Sequence, residues 1–309
     1  MYEVKEKDDL KNIENLYSSL KQLNHEYKEL NKKTKVKKNY VSMLLSSNPK
    51  RLLETIRLKL AIRKINDIRV SGKTQQVESN PFNNERIAVY TSTFGGTFHL
   101  WEPFFKPDNC DFFYIGDKEV PKESIWKKYE ISNFVNDFST YSNIEKNRYV
   151  KMNPHHIFKE YRFSVYIDGN IRLFGDPTEF VNLIGEFGIA MHKHRSRNCV
   201  YDELMAIETL RKMSQVDCKN FRDYLHEEGM PTLYGLSECN IIARDHSNTM
   251  AIKMSEEWWD IFLNGEAKRD QVSFPLIAFR NGVEMASLMT LGSNVYDNDI
   301  IRIESLEVR

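Results

Sequence analysis

Three short apolar runs restrict the chain most. "RIAVYTSTFGG" at 86–96, "CDFFYIGD" at 110–117 and "YRFSVYIDGNIRLFGDP" at 161–177 are rich in β-branched and aromatic residues, and each stops on glycines or a carboxylate. Each reads as a buried strand with a polar end. "WKKYEI" at 126–131 alternates like a further, more exposed strand, and "NRYVKMNPHHIFKEY" at 147–161 reads as helical. Strands separated by helical or loop connections predict an α/β sheet. In open α/β sheets ligands bind outside the carboxyl ends of the strands. Gly95-Gly96, Asp117 and Asp168-Gly169-Asn170 all fall at such ends.

The aromatic residues divide the chain. Every Phe and every Trp lies after residue 80, so the front segment has no typical aromatic core of its own. Charge divides at the same place. Residues 1–80 hold 18 Lys+Arg against 10 Asp+Glu, and residues 81–309 hold 26 against 34, so a net of +8 faces a net of −8. The expected organisation is a basic α-helical extension and linker over 1–80 and an α/β domain over 81–309. Leu10, Ile13, Tyr17, Leu20, Leu23, Tyr27 and Leu30 recur at helical steps, and a second basic helix starts near Pro49. Peripheral contact with an anionic membrane, self-association through residues 1–70, or docking on the main domain all fit such helices. Nucleic acid is not expected, because the basic charge lacks interleaved aromatics. "VSGKTQQVESNPFNNE" at 70–85 reads as the linker. The four cysteines form no C-x-x-C pair and no secretory leader precedes them, which points to reduced thiols and the cytosol. No apolar run is long enough to span a bilayer.

Several stretches have residue types that do chemistry. Asp168 and Asn170 offer a carboxylate and an amide oxygen two residues apart, as a hard divalent cation prefers. An ordinary Asp-Gly-Asn turn between two strands fits the same letters. Thr91, Phe94, Gly95 and Gly96 could lie against a nucleotide, or form only a tight turn; the pair is neither G-x-G-x-x-G nor a Walker loop. "FGIAMHKHRSRNCVYDELMAI" at 187–207 runs a short strand into His192, His194, Arg195 and Arg197, and then a helix with Glu203. Imidazoles move protons or ligate metals, and guanidiniums grip phosphate. A solvated basic turn is the plainer reading. Asp270, between Arg269 and Gln271, is either a helix-start carboxylate or a group that orients or deprotonates an acceptor hydroxyl.

In order, "YTSTFGG", "CDFFYIGD", "RYVKMNPHHIFKEYRFSVYIDGNIRL", "HKHRSRNCVYDEL", "SECNIIARDH" and "KRDQVSFPLIAF" resemble the glycosyltransferase-like domain shared by bacterial surface-polysaccharide proteins and plant proteins of mucilage and turgor control. The resemblance covers about residues 86–280. The front helices fall outside it, as does the tail after about residue 285.

It implies a GT-A-type, Rossmann-like mixed sheet flanked by helices, and transfer of a sugar from a UDP-linked donor to a capsule-type polysaccharide acceptor. Mn²⁺ or Mg²⁺ would be held by Asp168, with Asn170 in the family's second acidic place, a departure that weakens metal binding. By the same likeness Thr91, Phe94, Gly95, Gly96, Asp117, Arg148, Lys151, His155 and Arg197 face the donor. Asp270, Glu203 and His194 are the catalytic candidates, and Glu238, Asn240, Arg269 and Gln271 hold sugar or acceptor. A metal-dependent hydrolase and a non-catalytic carbohydrate-binding or scaffold module are the alternatives.

Overall fold

A computed structural model describes residues 75–77, 85–96, 99–131, 135, 137–265, 269–292, 295–296 and 298–304. The two expected front helices lie outside the described residues. The strands are β1 Gln75–Val77, β2 Ile87–Thr93, β3 Phe105–Pro107, β4 Cys110–Gly116, β5 Lys127–Lys128, β6 Phe163–Ile167, β7 Ile171–Leu173, β8 Ile189–Lys193, β9 Ser237–Asp245 and β10 Ile301–Ile303. The α-helices are α1 Asn143–Met152, α2 Pro154–Ile157, α3 Thr178–Val181, α4 Val200–Thr209, α5 Gln215–Glu227, α6 Thr249–Leu263, α7 Asp270–Arg280 and α8 Met285–Leu288.

Six strands form one mixed sheet in the order β5-β4-β2-β6-β9-β8. β2 runs parallel to both β4 and β6, and β9 runs antiparallel to β6 and β8. This is the α/β architecture expected from the apolar runs. Their lack of alternation has a simple cause: both faces are covered. Ile87 and Val89 of β2 join a core with Phe112, Tyr114, Val165 and Ile167. Ala88 and Tyr90, from the same strand, join the opposite core with Phe113, Ile115 and Tyr166. Each such side chain, fully withdrawn from water, contributes about 1.5–3 kcal/mol.

The chain leaves β2 towards β4 on one side, and β6 takes up the other side. β2 and β6 therefore flank a switch point, where an open sheet leaves room for a ligand. Tyr90 pairs with Tyr166, and two residues further along each strand come Ser92 and Asp168.

Four details differ from the sequence expectations. The stretch expected as linker contributes β1, which pairs in parallel with β3. Backbone pairing needs no apolar letters, so a polar segment gives no warning of it. Second, "IDGN" turns, with the Ile171 N–H donating to the Asp168 carbonyl at 2.8 Å, but it is not a hairpin. β6 stays in the large sheet, whereas β7 pairs with β10. Third, the tail after 285, where the sequence suggests no strand, supplies β10 to that pairing, and Ile301 is fully buried. Fourth, the helical stretch 147–161 is two helices. α1 begins earlier, at a capping box in which Ser142 accepts from Glu145 N–H and Glu145 accepts from Ser142 N–H. It stops before Pro154, which lacks the N–H to continue it and opens α2.

Candidate active site

The carboxyl ends of β4, β2 and β6 and the start of antiparallel β9 lie side by side. At the β2 end, Gly95 and Gly96 have φ of 74° and 73°, a conformation open to glycine and strained for other residues. Gly95 N–H donates to Asp117 Oδ2 at 2.8 Å. Asp117, expected to face a donor, thus ties the β4 end to the β2 loop. Gly116 before it admits no side chain, since a Cβ there would stand 2.2 Å from the Thr93 carbonyl oxygen. Phe94 packs edge-on against Phe138, with ring centroids 5.7 Å apart. The hydroxyls of Thr91 and Ser92 are buried and have no hydrogen-bond partner. Buried hydroxyls seldom stay unpaired in a finished site.

Asp168 follows β6. Its N–H donates to the Asn240 carbonyl at 2.8 Å, which locks it to β9. Its Oδ1 accepts from the Tyr166 hydroxyl at 2.7 Å and lies 3.4 Å from Lys151 Nζ. Neither contact involves Oδ2. Lys151 comes from α1, is almost wholly buried, and donates to Asp270 Oδ2 at 2.5 Å. Arg148, one turn earlier on α1, stands 3.6 Å from Asp270 Oδ1. Asp270 does not cap α7, whose N-cap is Arg269, and its carboxylate is spent on Lys151 and Arg148. Burial works to raise the Asp270 carboxyl, but Arg148 and Lys151 outweigh it and hold the group well below the usual carboxylate range. Burial likewise works to strip Lys151 of its proton, and Asp168 and Asp270 reverse that. The Trp258 indole N–H, donating to the Asp270 carbonyl at 3.2 Å and to Ser273 Oγ at 2.8 Å, fixes the start of α7.

A second cluster follows along β9 and β8. His194 Nδ1 accepts from the N–H groups of Ser196 and Arg197, at 3.2 and 2.9 Å, so the neutral ring carries its proton on Nε2. Nε2 lies 3.6 Å from Glu203 and 3.7 Å from Glu238. Arg197 Nε donates to Glu203. Burial pushes the His194 imidazole down, against Glu203. Burial pushes the Glu238 carboxyl up. Gln271, next to Asp270 on α7, donates to Glu238 Oε2 at 3.3 Å and to the Ser237 carbonyl at 3.2 Å, which joins the two clusters. The Asn240 Oδ1 and Arg269 Nε atoms are buried without a partner.

The structure therefore brings together Arg148, Lys151, Asp168, Asp270, Asn240 and Gln271, and beside them His194, Arg197, Glu203 and Glu238. Arg195 reaches this second group through its backbone N–H, 3.5 Å from Glu238 Oε1. His155 joins neither group and lies 3.7 Å from Glu256 of α6. His192 is buried in β8, 3.4 Å from the Asn298 amide nitrogen. Tyr166 was missed by sequence reasoning. It stands two residues before Asp168, and the period of a strand puts it on the same face.

A mixed sheet with a buried, charge-balanced cluster at its switch point defines an α/β domain with a ligand-binding mouth. The family model for the TOD1/MUCI70 glycosyltransferase-like domain matches residues 118–302, and the chain belongs to this family. Among solved structures, the apo bifunctional glycosyltransferase WbbM is similar at a TM-score of 0.41 and 14% identity, over 66% of this chain and 40% of that one. The apo form of mouse xyloside xylosyltransferase 1 is similar at 0.43 and 9%, over 72% of this chain and 98% of that one. The search of curated proteins found no match.

Proposed function

We propose that the domain transfers a sugar from a nucleoside diphosphate donor, UDP-linked, to a carbohydrate acceptor of the surface-polysaccharide type. One observation supports this above the rest: the buried Lys151 ammonium, shared by Asp168 and Asp270 beside the switch point. A leaving diphosphate develops negative charge, and preorganised cations beside it lower the barrier. Lys151 and Arg148 supply positive charge that needs no rearrangement, because Asp270 anchors both. The unpaired hydroxyl of Ser92, on the face of β2 shared by Tyr90 and Tyr166, offers a hydrogen bond to the donor.

The residues also fit a hard divalent cation. Assigned to the ion in this reading are Asp168 Oδ2, to which neither protein contact of that carboxylate goes, and the orphaned Asn240 Oδ1 on the strand paired with it. Asn170 follows two residues on. Mn²⁺ or Mg²⁺ held there would add charge against the diphosphate. With one carboxylate and two amides in that set, and Lys151 nearby, the ion depends on the donor's phosphates for the rest of its charge.

Acceptor activation falls to Glu238 in this reading. A carboxylate with raised proton affinity is a better general base than Asp270, whose affinity is depressed by its two cations. Gln271 holds Glu238 and Arg197 holds Glu203 in place, with the His194 ring between the two carboxylates. Four buried, unpaired cysteines support a reducing, cytoplasmic setting. The basic front segment would add peripheral contact with the membrane.

The test is turnover of UDP-sugars by wild type and Asp168→Asn, with melting temperatures alongside. Turnover should fall on the order of a hundredfold with the fold retained. Unchanged turnover in the variant would remove Asp168 from the chemistry.

A further inference from the structure

His155 and His156 of α2 meet Glu256 of α6, and none of the three belongs to the clusters above. His155 Nε2 lies 3.7 Å from Glu256 Oε1, and His156 Nε2 lies 3.5 Å from the same oxygen. One ligand atom from each of the three residues falls within 4.8 Å of the other two. The His155 side chain is nine-tenths buried, and its Nε2 has no hydrogen-bond partner. A weak ion pair with Glu256 does not explain this. At 3.7 Å the two are also too far apart for a hydrogen bond. An imidazole with a buried, unused nitrogen is what a transition metal binds.

The spacing agrees. Zinc bonds of about 2.0–2.1 Å in a tetrahedron place ligand atoms roughly 3.3–3.4 Å apart. The two separations to Glu256 need to close by only a few tenths of an ångström, and the third, between the imidazoles, lies within 4.8 Å. His156 and Glu256 are 43% and 50% exposed, so their side chains have room to move. His156 Nδ1 meets the Tyr149 hydroxyl at 3.2 Å. In the tautomer with its proton on Nδ1, that N–H faces the phenol oxygen and Nε2 is left as a lone pair, an outer contact of the kind that orients ligating histidines.

We propose that His155 Nε2, His156 Nε2 and Glu256 Oε1 bind one zinc ion, with water in the fourth position. Glu256 supplies the negative charge, against nearby Arg244, whose field also bears on His155. The ion would join two segments that each bear half of the buried ion pair. α1, with Lys151, runs directly into α2, and α6 precedes α7, which starts at Asp270. Zinc at this position holds the two halves together from outside the donor site.

The experiment uses the full chain, stripped with a chelator and titrated calorimetrically with Zn²⁺ alone, with melting curves in parallel. The expected result is one zinc per chain at micromolar affinity or tighter. The melting temperature should rise by about 5 °C at a hundredfold excess over the dissociation constant. His156→Gln and Glu256→Gln, at exposed positions, should melt like wild type without metal, and each should weaken binding at least tenfold. Asp168→Asn should bind zinc as wild type does. No binding, binding that survives both ligand variants, or binding lost in Asp168→Asn overturns the proposal.

Discussion

The two clusters at the sheet mouth hold charge in opposite ways. Around Lys151 the charges are held in close ion pairs. Asp168 and Asp270 share one ammonium, Arg148 adds a second cation, and Asp270 is pinned in its ionised form. Around His194 the charges are movable. The imidazole is pushed towards neutrality and the Glu238 carboxyl is pushed up, both first by burial. Fixed charge suits stabilisation of a diphosphate, since it costs no reorganisation at the moment of reaction. A group with a raised proton affinity suits proton transfer. α7 links the two with adjacent residues, Asp270 and Gln271, so one helix start sets the geometry of both.

Breaking the first cluster should have the largest effect. Lys151→Met removes the shared partner of two carboxylates, one of them deeply buried. A loss of about 3–5 kcal/mol is expected, as for other buried pairs deprived of one member. Thermal or denaturant unfolding reads it directly, and near-native stability would mean that water or Arg148 compensates. The double change Lys151→Met with Asp270→Leu should recover part of that loss, because no carboxylate at 270 is then left without its cation.

The second cluster should respond in rate rather than in stability. Glu238→Gln keeps the shape and the contact with Gln271 but removes the proton acceptor. Turnover should fall roughly ten- to a thousandfold, with a melting temperature at or slightly above that of wild type. The pH–rate profile of the variant should lose its acid limb. An unaltered acid limb would move the base to Glu203.

A smaller effect concerns pH and stability, measured with chelator present. Burial pushes His246 down to about 4, and His194 is pushed down as well. A histidine depressed in the folded state binds fewer protons there than when unfolded. Its contribution is complete above about pH 6.5 and is lost as pH falls towards the folded value. Between pH 7 and 5, His246 alone should cost about 2 kcal/mol. The raised Glu238 carboxyl works in the opposite sense and offsets part of this. His246→Gln should flatten the slope of melting temperature against pH, and an unchanged slope would show that His246 is charged in the folded protein.

The same contrast explains what the sequence made legible. β2, β4 and β6 were readable because a strand covered on both faces has no polar alternation to hide it. Asp168, Asp270 and Glu238 were readable as carboxylates at element ends. Lys151 and Arg148 were named only through the family likeness, and their pairing with Asp270 was not readable. Lys151 and Asp270 stand 119 residues apart, and a lysine amid "NRYVKM" looks like any solvated helix residue. Its burial follows from which face of α1 meets the sheet, a tertiary fact. β1 and β10 were invisible for a related reason, since their place depends on backbone pairing with β3 and β7 rather than on their own letters. The letters "IDGN" fit a turn as well as a metal ligand pair, and whether a hairpin follows is decided by β10, more than a hundred residues later.

The account rests on a diphosphate fitting against the fixed charges between β2 and β6. Calorimetric titration of the full chain with UDP, with and without Mn²⁺, tests that most directly. The account predicts saturable binding of one UDP per chain, tightened by Mn²⁺ and weakened by rising salt, as expected for a phosphate held by cations. No heat with UDP or any other nucleoside diphosphate, in either condition, would contradict it.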